Sequence, residues 1–331
     1  MSLDALLGST LVVGFQGRDA TPQLIKDLRA THAQSLILFE RNITSPEQLA
    51  ALLADLQESL GPRLVMIDQE GGRVVRIRSG VTQFPDAQTV GRTQDAAAVE
   101  RQGRVEAEEL RHLGIHVNLA PCVDVLVEGG DPVIGDRSYG PDPEQVSSLG
   151  AARIRGLQSH GAVACAKHFP GLGAVPRDPH KTLPTIGLGW EALRAVHLPP
   201  FEAAIRAGVA AVMSSHVCYP GLGEPEGVPA TFSRRLIQGL LREELGFSGL
   251  ILTDDLEMGA LRTFGSLGEA AIRAREAGHD LALICSDLSG AREALSALRQ
   301  ACRAGRLKEA DVEASAARVA RVRERIFSAR P

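Results

Sequence analysis

The residues best suited to chemistry lie in the stretch 166–180. An apolar run over residues 162–166 leads into Lys167-His168, then into a turn with two glycines, and then into the pair Asp178-x-His180. Lysine and histidine donate hydrogen bonds, and histidine also exchanges protons near neutral pH. A strand that ends in a polar loop is typical of the catalytic edge of α/β enzymes. The same residue types also occur in ordinary solvated loops. Their occurrence together within residues 166–180 favours a functional site.

Further acids and bases stand at the ends of other apolar runs. They are Asp68, Asp124, His216, Asp254 and Asp255. A carboxylate can act as a nucleophile or exchange a proton, and a histidine can act as a general acid or base. Together they suggest a binding site for a polar, uncharged ligand.

The elements that must position these residues are short strands alternating with helices. Helix starts carry capping signals, such as Thr21-Pro22 and the capping-box spacing of Ser45 and Gln48. Gly114 is expected to end a helix over residues 95–113. The predicted strands cover residues 11–15, 35–39, 64–67, 115–119, 162–166, 209–213, 250–253 and 281–284.

This alternation predicts an α/β protein with a single (β/α)8 TIM-type barrel over residues 1–331, closed by C-terminal helices. The strands are apolar throughout, as expected of strands covered on both faces. A doubly wound open sheet is the alternative, but no GxGxxG follows the first strand. In a barrel the strand ends meet at one mouth, which would bring the acids and bases together.

Composition restricts the partners. The 331 residues are 44% apolar and 4% aromatic, with a net charge of -4, so neither nucleic acid nor an acidic membrane is expected to bind. No His/Cys cluster suggests a metal, no signal peptide is recognisable and no apolar run is long enough to span a bilayer. We therefore expect no metal, cofactor or membrane span, and we expect a cytoplasmic location. Five cysteines without CxxC spacing are expected to be reduced thiols, mostly buried: Cys122, Cys165, Cys218, Cys285 and Cys302.

Several motifs together resemble family 3 glycoside hydrolases. They are Asp68-Gln69-Glu70-Gly71-Gly72-Arg73-Val74-x-Arg76, Asn118-Leu119-Ala120-Pro121-x-x-Asp124-Val125, Pro132-Val133-Ile134-Gly135-Asp136-Arg137-Ser138, Lys167-His168-Phe169-Pro170-Gly171-x-Gly173, Asp178-x-His180 and Thr253-Asp254-Asp255-Leu256-x-Met258. The resemblance runs in order from about residue 10 to 285. It is greatest to the one-domain bacterial β-N-acetylhexosaminidase branch, whose members recycle muropeptides in the cytosol.

The resemblance implies the catalytic roles. Asp254 corresponds to the nucleophile, which forms a covalent glycosyl-enzyme that water hydrolyses with net retention. His180 corresponds to the general acid/base, oriented by Asp178. Asp255 is not excluded as the nucleophile on chemistry alone, although neighbouring strand residues point to opposite faces.

Other residues match sugar-binding positions of the family. The resemblance implies that they hydrogen-bond ring hydroxyls or the N-acetyl group: Asp68, Arg76, Arg137, Lys167 and His168. Ordinary surface ion pairs are the alternative for the two arginines. His216 and Asp124 match positions near the site, without an assigned role.

The sequence leaves the family pattern in the loop after the fifth strand. Leu172 and Ala174 stand where a histidine and an aspartate are usual, and Pro179 replaces the serine between Asp178 and His180. Proline fixes φ and lacks an N–H, so the loop is expected to differ in shape or stiffness. The loop must also close to bring His180 to the bond that Asp254 attacks.

The function expected is a retaining exo-β-N-acetylglucosaminidase acting on peptidoglycan-derived fragments. Its partner would be a small carbohydrate, and the protein a monomer or weak homo-oligomer. A family 3 phosphorylase or β-glucosidase is the alternative, and β-glucosidases of the family usually carry a second domain. Two other classes remain open: an aldolase with a Schiff base on Lys167, and an inactive sugar-binding barrel.

Overall fold

The computed structural model describes residues 1–130, 133–175, 183–286 and 288–328. Eight parallel strands close into a barrel in sequence order, with β1 paired to both β2 and β8. The (β/α)8 prediction is therefore confirmed. The strands are β1 Leu11–Val13, β2 Ser35–Leu38, β3 Leu64–Ile67, β4 Val117–Asn118, β5 Val163–Phe169, β6 Ala211–Ser214, β7 Leu250–Asp255 and β8 Leu281–Ile284.

Helices surround the strands. The α-helices are α1 Leu3–Gly8, α2 Pro22–Thr31, α3 Pro46–Leu60, α4 Ala87–Gly91, α5 Ala96–His112, α6 Pro143–Ser159, α7 Trp190–Ala192, α8 Leu198–Arg206, α9 Leu267–Ala277, α10 Leu288–Arg303 and α11 Glu309–Ser328. Leu193–His197 and Arg235–Glu244 are π-helical. Short 3₁₀ turns cover Glu40–Asn42, Gly135–Arg137, Pro220–Leu222, Ala230–Phe232 and Gly259–Phe264.

Helix starts follow the capping signals of the sequence. The Thr21 side chain accepts from the Leu24 N–H, and the Ser45 side chain accepts from the Gln48 N–H. Each bond satisfies one of the N–H groups that a first turn leaves without a partner. The chain therefore turns from strand to helix at defined residues.

Apolar residues fill the barrel and the layer around it. The interior cluster has a member from every strand, namely Val12, Ile37, Met66, Val117, Cys165, Met213, Leu252 and Leu283. Val319 and Ile326 of α11 join this cluster, so α11 covers the end of the barrel where the strands begin. Two larger clusters fill the space between strands and helices. The strands are thus buried on both faces, as their apolar sequences predict.

The strand ends differ from the predicted ones where the chemistry lies. β5 continues beyond residue 166 to Phe169, and β7 continues beyond residue 253 to Asp255, so Lys167, His168 and Asp254 all lie within strands. β7 shifts register against β8 between Leu252 and Asp255. Hydropathy missed these strand ends because they carry polar residues at a buried barrel mouth.

Helices α5 and α6 approach unusually closely. A Cβ on Gly103 would lie 2.7 Å from the Arg153 carbonyl oxygen, and one on Gly156 would lie 2.2 Å from that of Glu100. Only glycine fits such backbone contacts. The close approach brings Arg153 of α6 to Glu106 of α5, below the barrel mouth.

The structure bears on the expected reduced cysteines and on the expected absence of a membrane span. All five cysteines are free thiols; four are buried and Cys302 is partly exposed. No helix in the described residues has the length and apolar character needed to cross a bilayer.

Candidate active site

The segment after β3 is held in place by Gln69. Its Oε1 accepts from the backbone N–H groups of Arg76 and Ile77, so the chain folds back on itself. Asn118 of β4 bonds both main-chain groups of Gln69, through Oδ1 at 3.1 Å and Nδ2 at 2.9 Å. Asp68 and Glu70, on either side of Gln69, are thereby fixed at the mouth.

Lys167 lies between these two carboxylates. Its Nζ is 2.7 Å from Asp68 Oδ1 and 2.7 Å from Glu70 Oε1, and the lysine is only 2% exposed. Burial alone would lower the pKa of Lys167, but the charges of Asp68 and Glu70 outweigh it and raise the pKa above its usual value. Lys167 is therefore an ammonium group, and a Schiff base, which needs the neutral amine, is disfavoured.

Glu70 is the buried acid that links Lys167 to Arg137. Arg137 donates to it twice, at 2.9 and 2.8 Å. Burial tends to raise the pKa of Glu70, yet the two cations hold it well below the usual range. Glu70 lies in the Asp68-Gln69-Glu70 motif but was not among the predicted site residues.

Arg76 contacts the other acid. It donates from Nη2 to Asp68 Oδ2 at 3.1 Å, and its guanidinium stacks over the Phe39 ring at 5.7 Å. Burial would raise the pKa of Asp68, but Lys167 and Arg76 hold it below its usual value. Both predicted arginines thus form ion pairs at the barrel mouth rather than on the outer surface.

His168 is held by Asp124. The ring Nδ1 lies 2.8 Å from Asp124 Oδ2, and the backbone N–H of His168 donates to the same oxygen at 3.1 Å. The ring Nε2 lies 3.4 Å from Arg137 Nη2, which joins His168 to the ionic cluster. The peptide bond between Lys167 and His168 is cis. Asp124, which had no assigned role, is the partner that orients His168.

Asp124 and His168, together with Cys122, are residue types that can bind a metal ion. Donor atoms of Cys122, Asp124 and His168 lie within 4.8 Å of one another. The Asp124 Oδ2 atom is, however, 3.2 Å from Cys122 Sγ and 2.8 Å from His168 Nδ1, as in hydrogen bonds. Ligands about 2.0–2.3 Å from a tetrahedral zinc would lie roughly 3.3 Å or more apart. The cluster is better described as hydrogen-bonded than as a metal site.

Asp254 stands on β7 and is partly exposed. Its Oδ1 accepts from the Asp255 N–H at 2.8 Å, its only hydrogen bond within the described part of the chain. Asp254 lies near the carboxyl end of β7, and Lys167 lies near the carboxyl end of β5. Because both strands are parallel members of one closed barrel, Asp254 shares the mouth with the ionic cluster.

Asp255 has a different environment from Asp254. Its Oδ1 accepts from the Glu257 N–H at 3.1 Å, and burial raises its pKa to about 6. Below about pH 6 Asp255 is therefore largely protonated, and a protonated carboxyl group is a poorer nucleophile than a carboxylate. His216 donates from Nε2 to the Asp255 carbonyl oxygen at 2.9 Å, while its Nδ1 lies 2.6 Å from Thr231 Oγ1. His216 thus supports the end of β7 through its main chain.

A second buried ion pair lies below the cluster. Arg153 contacts Glu106 with Nε and Nη2, the former at 2.7 Å, and also donates to the Glu70 carbonyl oxygen at 3.1 Å. Both side chains are 4% exposed. The pair fixes the main chain that carries Glu70, and nothing in the local sequence indicated it.

The structure thus brings together predicted residues from strands β5 and β7 and from the segments that follow β3 and β4. Asp68, Arg76, Arg137, Lys167 and His168 form one connected cluster, and Asp254 lies at the same mouth. Asp178, Pro179 and His180 lie outside the described residues. The expected closure of their loop therefore stays a prediction.

Comparisons with known proteins identify the family. Residues 2–322 match the family described as glycosyl hydrolase family 3 N terminal domain. The Beta-hexosaminidase of Nitrosomonas eutropha (strain DSM 101675 / C91 / Nm57) is 41% identical over 271 residues, which cover 80% of this chain and 77% of that protein. The Beta-hexosaminidase of Stenotrophomonas maltophilia (strain K279a) is 38% identical over 282 residues, covering 83% of each.

Solved structures show the same fold. A family 3 β-N-acetylglucosaminidase from Paenibacillus sp. str. FPU-7 superposes with a TM-score of 0.95 at 40% identity, covering 100% of this chain and 64% of that longer one. NagZ from Neisseria gonorrhoeae, in complex with N-trifluoroacetyl-D-glucosamine, superposes with a TM-score of 0.78 at 31% identity, covering 95% and 98%. The resemblance seen in the motifs is confirmed, and the chain belongs to glycosyl hydrolase family 3.

Proposed function

We propose that the protein is a retaining exo-β-N-acetylglucosaminidase that removes terminal N-acetylglucosamine from peptidoglycan-derived fragments. The observation that carries the proposal is the position of Asp254 on β7. It is a partly exposed carboxylate with a single hydrogen bond in the described part of the chain, and it shares one barrel mouth with the Lys167 cluster. The β-hexosaminidase relatives and the sugar-bound NagZ support the choice of sugar.

In the first step, an Asp254 oxygen attacks the anomeric carbon. A C–O bond to the enzyme forms, the glycosidic C–O bond breaks, and His180 gives its proton to the departing oxygen. In the second step, water gives a proton to His180 and attacks the same carbon, which releases Asp254. Two inversions give net retention. Asp178 would hold the His180 ring in position.

The ionic cluster would bind the sugar. Asp68 would accept from ring hydroxyls, and Lys167, Arg76 and Arg137 would donate to hydroxyls or to the N-acetyl carbonyl. His168 would hydrogen-bond a hydroxyl through Nε2. Because Lys167 and Arg137 are already paired with Glu70, they stay fixed before the sugar arrives. Such preorganisation lowers the entropy cost of binding.

The cellular setting is part of the proposal. Free thiols at all five cysteines suit a reducing compartment, so we place the enzyme in the cytoplasm. We propose a monomer or weak homo-oligomer formed by one catalytic barrel over residues 1–331, with a small carbohydrate as its partner. Nucleic acid and membrane are not expected partners at a net charge of -4.

The first test compares 4-nitrophenyl N-acetyl-β-glucosaminide with 4-nitrophenyl β-glucoside. We expect turnover of the first substrate only, and its loss in Asp254→Ala. Asp255→Asn is the matched control, because it alters the neighbouring carboxylate that bonds Glu257. If Asp255→Asn abolishes turnover and Asp254→Ala does not, the nucleophile has been assigned to the wrong residue.

The second test follows stereochemistry. The first-formed sugar should be the β-anomer by proton NMR, and azide should restore turnover of Asp254→Ala with an α-glycosyl azide as product. Azide added to His180→Ala should instead give the β-glycosyl azide, because the covalent intermediate still forms. An α-anomer as the first product would show that the enzyme inverts.

A third test identifies the molecule that attacks the covalent glycosyl-enzyme, which is either water or phosphate. With phosphate in the assay, free N-acetylglucosamine as product supports the hydrolase. N-acetylglucosamine 1-phosphate would identify a family 3 phosphorylase instead, and preferred cleavage of the glucoside would identify a β-glucosidase. A GlcNAc-anhydro-muramoyl fragment should be cleaved more efficiently than chitobiose if the peptidoglycan assignment is right.

A further inference from the structure

Asp124 uses both carboxylate oxygens, and each one binds a different part of the barrel mouth. Oδ2 accepts from His168 at Nδ1 and at the backbone N–H, and from Cys122 Sγ at 3.2 Å. Oδ1 accepts from the backbone N–H of Leu172 at 2.6 Å. Asp124 is 0% exposed, so water does not compete for these bonds. One buried carboxylate therefore joins the ring of His168 to the turn that follows β5.

That turn, residues 170–173, is held from other sides as well. The Tyr219 hydroxyl donates to the Gly171 carbonyl at 3.0 Å, and the Val127 N–H donates to the Gly173 carbonyl at 3.3 Å. Gly171 has φ +132, and a Cβ there would lie 2.7 Å from the His197 Cβ. The turn is thus packed against its neighbours with little freedom to move.

All of these bonds use main-chain groups of the turn. Leu172 contributes its N–H, and Gly171 and Gly173 contribute their carbonyls. The departures from the family pattern at Leu172 and Ala174 change side chains only. They therefore leave the attachment of the turn to Asp124 intact.

From this geometry we propose that Asp124 is a positioning residue, which holds the sugar-binding His168 ring and the 170–173 turn in one fixed arrangement. The inference rests on the proposed function for the role of His168. Since an ionised carboxylate only accepts hydrogen bonds, it keeps the proton of His168 on Nδ1. The Nε2 atom then remains the ring nitrogen beside Arg137.

Asp124→Asn tests this arrangement, because asparagine has the same shape but a single accepting oxygen. Either His168 or the Leu172 N–H must lose its acceptor. Asp280→Asn is the matched control. Asp280 is also 0% exposed and also accepts from a backbone N–H, that of Ile251, but it lies where the strands begin.

Four quantities are measured on each variant: the melting temperature, kcat/KM on the aryl N-acetylglucosaminide, the ¹⁵N signals of histidine rings and the solvent exchange of the Leu172 amide. The His168 signals are assigned from a His168→Gln spectrum. Loss of a hydrogen bond to a buried charge should lower kcat/KM of Asp124→Asn about 10- to 100-fold. Its His168 signals should change, and the Leu172 amide should exchange with solvent faster. Asp280→Asn should lose thermal stability and keep kcat/KM and the His168 signals.

The readouts separate this inference from the proposed function. If the wild-type protein cleaves no N-acetylglucosaminide, the proposed function fails, while the ring signals and amide exchange still report on Asp124. Unchanged His168 signals and Leu172 exchange in Asp124→Asn would overturn the inference. So would wild-type kcat/KM in that variant, or an equal loss of kcat/KM in Asp280→Asn.

Discussion

The Arg137 guanidinium donates two hydrogen bonds to the Glu70 carboxylate, at 2.9 and 2.8 Å. Glu70 Oε1 also lies 2.7 Å from the Lys167 ammonium, so one buried acid sets the position of two cations. Without Glu70, Arg137 would lose both of these bonds, and only Asp68 would remain to offset the repulsion between the two cations. Glu70 is thus central to the cluster proposed to bind the sugar.

Replacing Glu70 with glutamine should therefore affect both folding and binding. Removing one partner of a buried ion pair leaves the other charge uncompensated and costs about 3–5 kcal/mol. We expect Glu70→Gln to lower the free energy of unfolding by an amount of this order in urea titrations, and to raise KM for the aryl N-acetylglucosaminide. The control is Glu40→Gln, which breaks the solvent-exposed pair with Arg78 and should leave both values unchanged. Equal behaviour of the two variants would contradict the role given to Glu70.

The Glu106–Arg153 pair should show strong coupling. Arg153→Met leaves a buried carboxylate without its partner and should destabilise the fold by about 3–5 kcal/mol. The double variant Glu106→Gln, Arg153→Met removes both charges and should recover part of that loss. Because Arg153 also donates to the Glu70 carbonyl, kcat/KM should stay below wild type in the double variant. Additive losses in a double-mutant cycle would show that the pair is not coupled.

His279 should make stability depend on pH. Its ring is buried, with Nδ1 3.0 Å from the Ala274 carbonyl and Nε2 2.8 Å from Ser214 Oγ, and burial lowers its pKa to about 3. Between that pH and about 6.5, the unfolded chain binds a proton that the folded protein does not. The free energy of unfolding should therefore fall as pH falls, by roughly 1.4 kcal/mol per pH unit for this group.

His279→Gln can still donate to Ala274 and accept from Ser214, but it does not titrate. Urea titrations between pH 7 and pH 5 should give a smaller slope of stability against pH for this variant. His160→Gln, at an exposed ring, is the control and should keep the wild-type slope. A wild-type slope in His279→Gln would assign the pH dependence to other groups.

Gly173 should not tolerate a side chain. A Cβ there would lie 2.0 Å from the Val125 carbonyl oxygen, a backbone atom that cannot move aside cheaply. Gly173→Ala should cost about 1–3 kcal/mol of stability, as other overpacking changes do, and should lower kcat by displacing the turn. Gly187→Ala meets no atom within 4 Å and is the matched control. Thermal unfolding and kcat are measured for both variants. If Gly173→Ala changes neither, the turn can shift to accommodate a side chain, which would contradict this prediction.

The sequence by itself determined the barrel and the residues at its mouth. Short apolar strands alternating with capped helices predict parallel strands covered on both faces, and the closed barrel confirms this. All parallel strands of a barrel end at the same face, so the residues at those ends share one mouth irrespective of the loop conformations. Asp68, Lys167 and Asp254 are three such residues. The family followed from the motifs at those ends.

Only the tertiary structure decided which side chains pair with each other at the barrel mouth. Glu70 meets Arg137 across 67 residues of sequence, and Asp124 meets His168 across 44. Such contacts depend on strand register, on where each strand ends and on the close packing of neighbouring helices. A periodicity in the sequence carries no such information, because it describes each element alone. The structure therefore showed what the motifs did not: Lys167 is held by two carboxylates, and Asp124 joins His168 to the turn after β5.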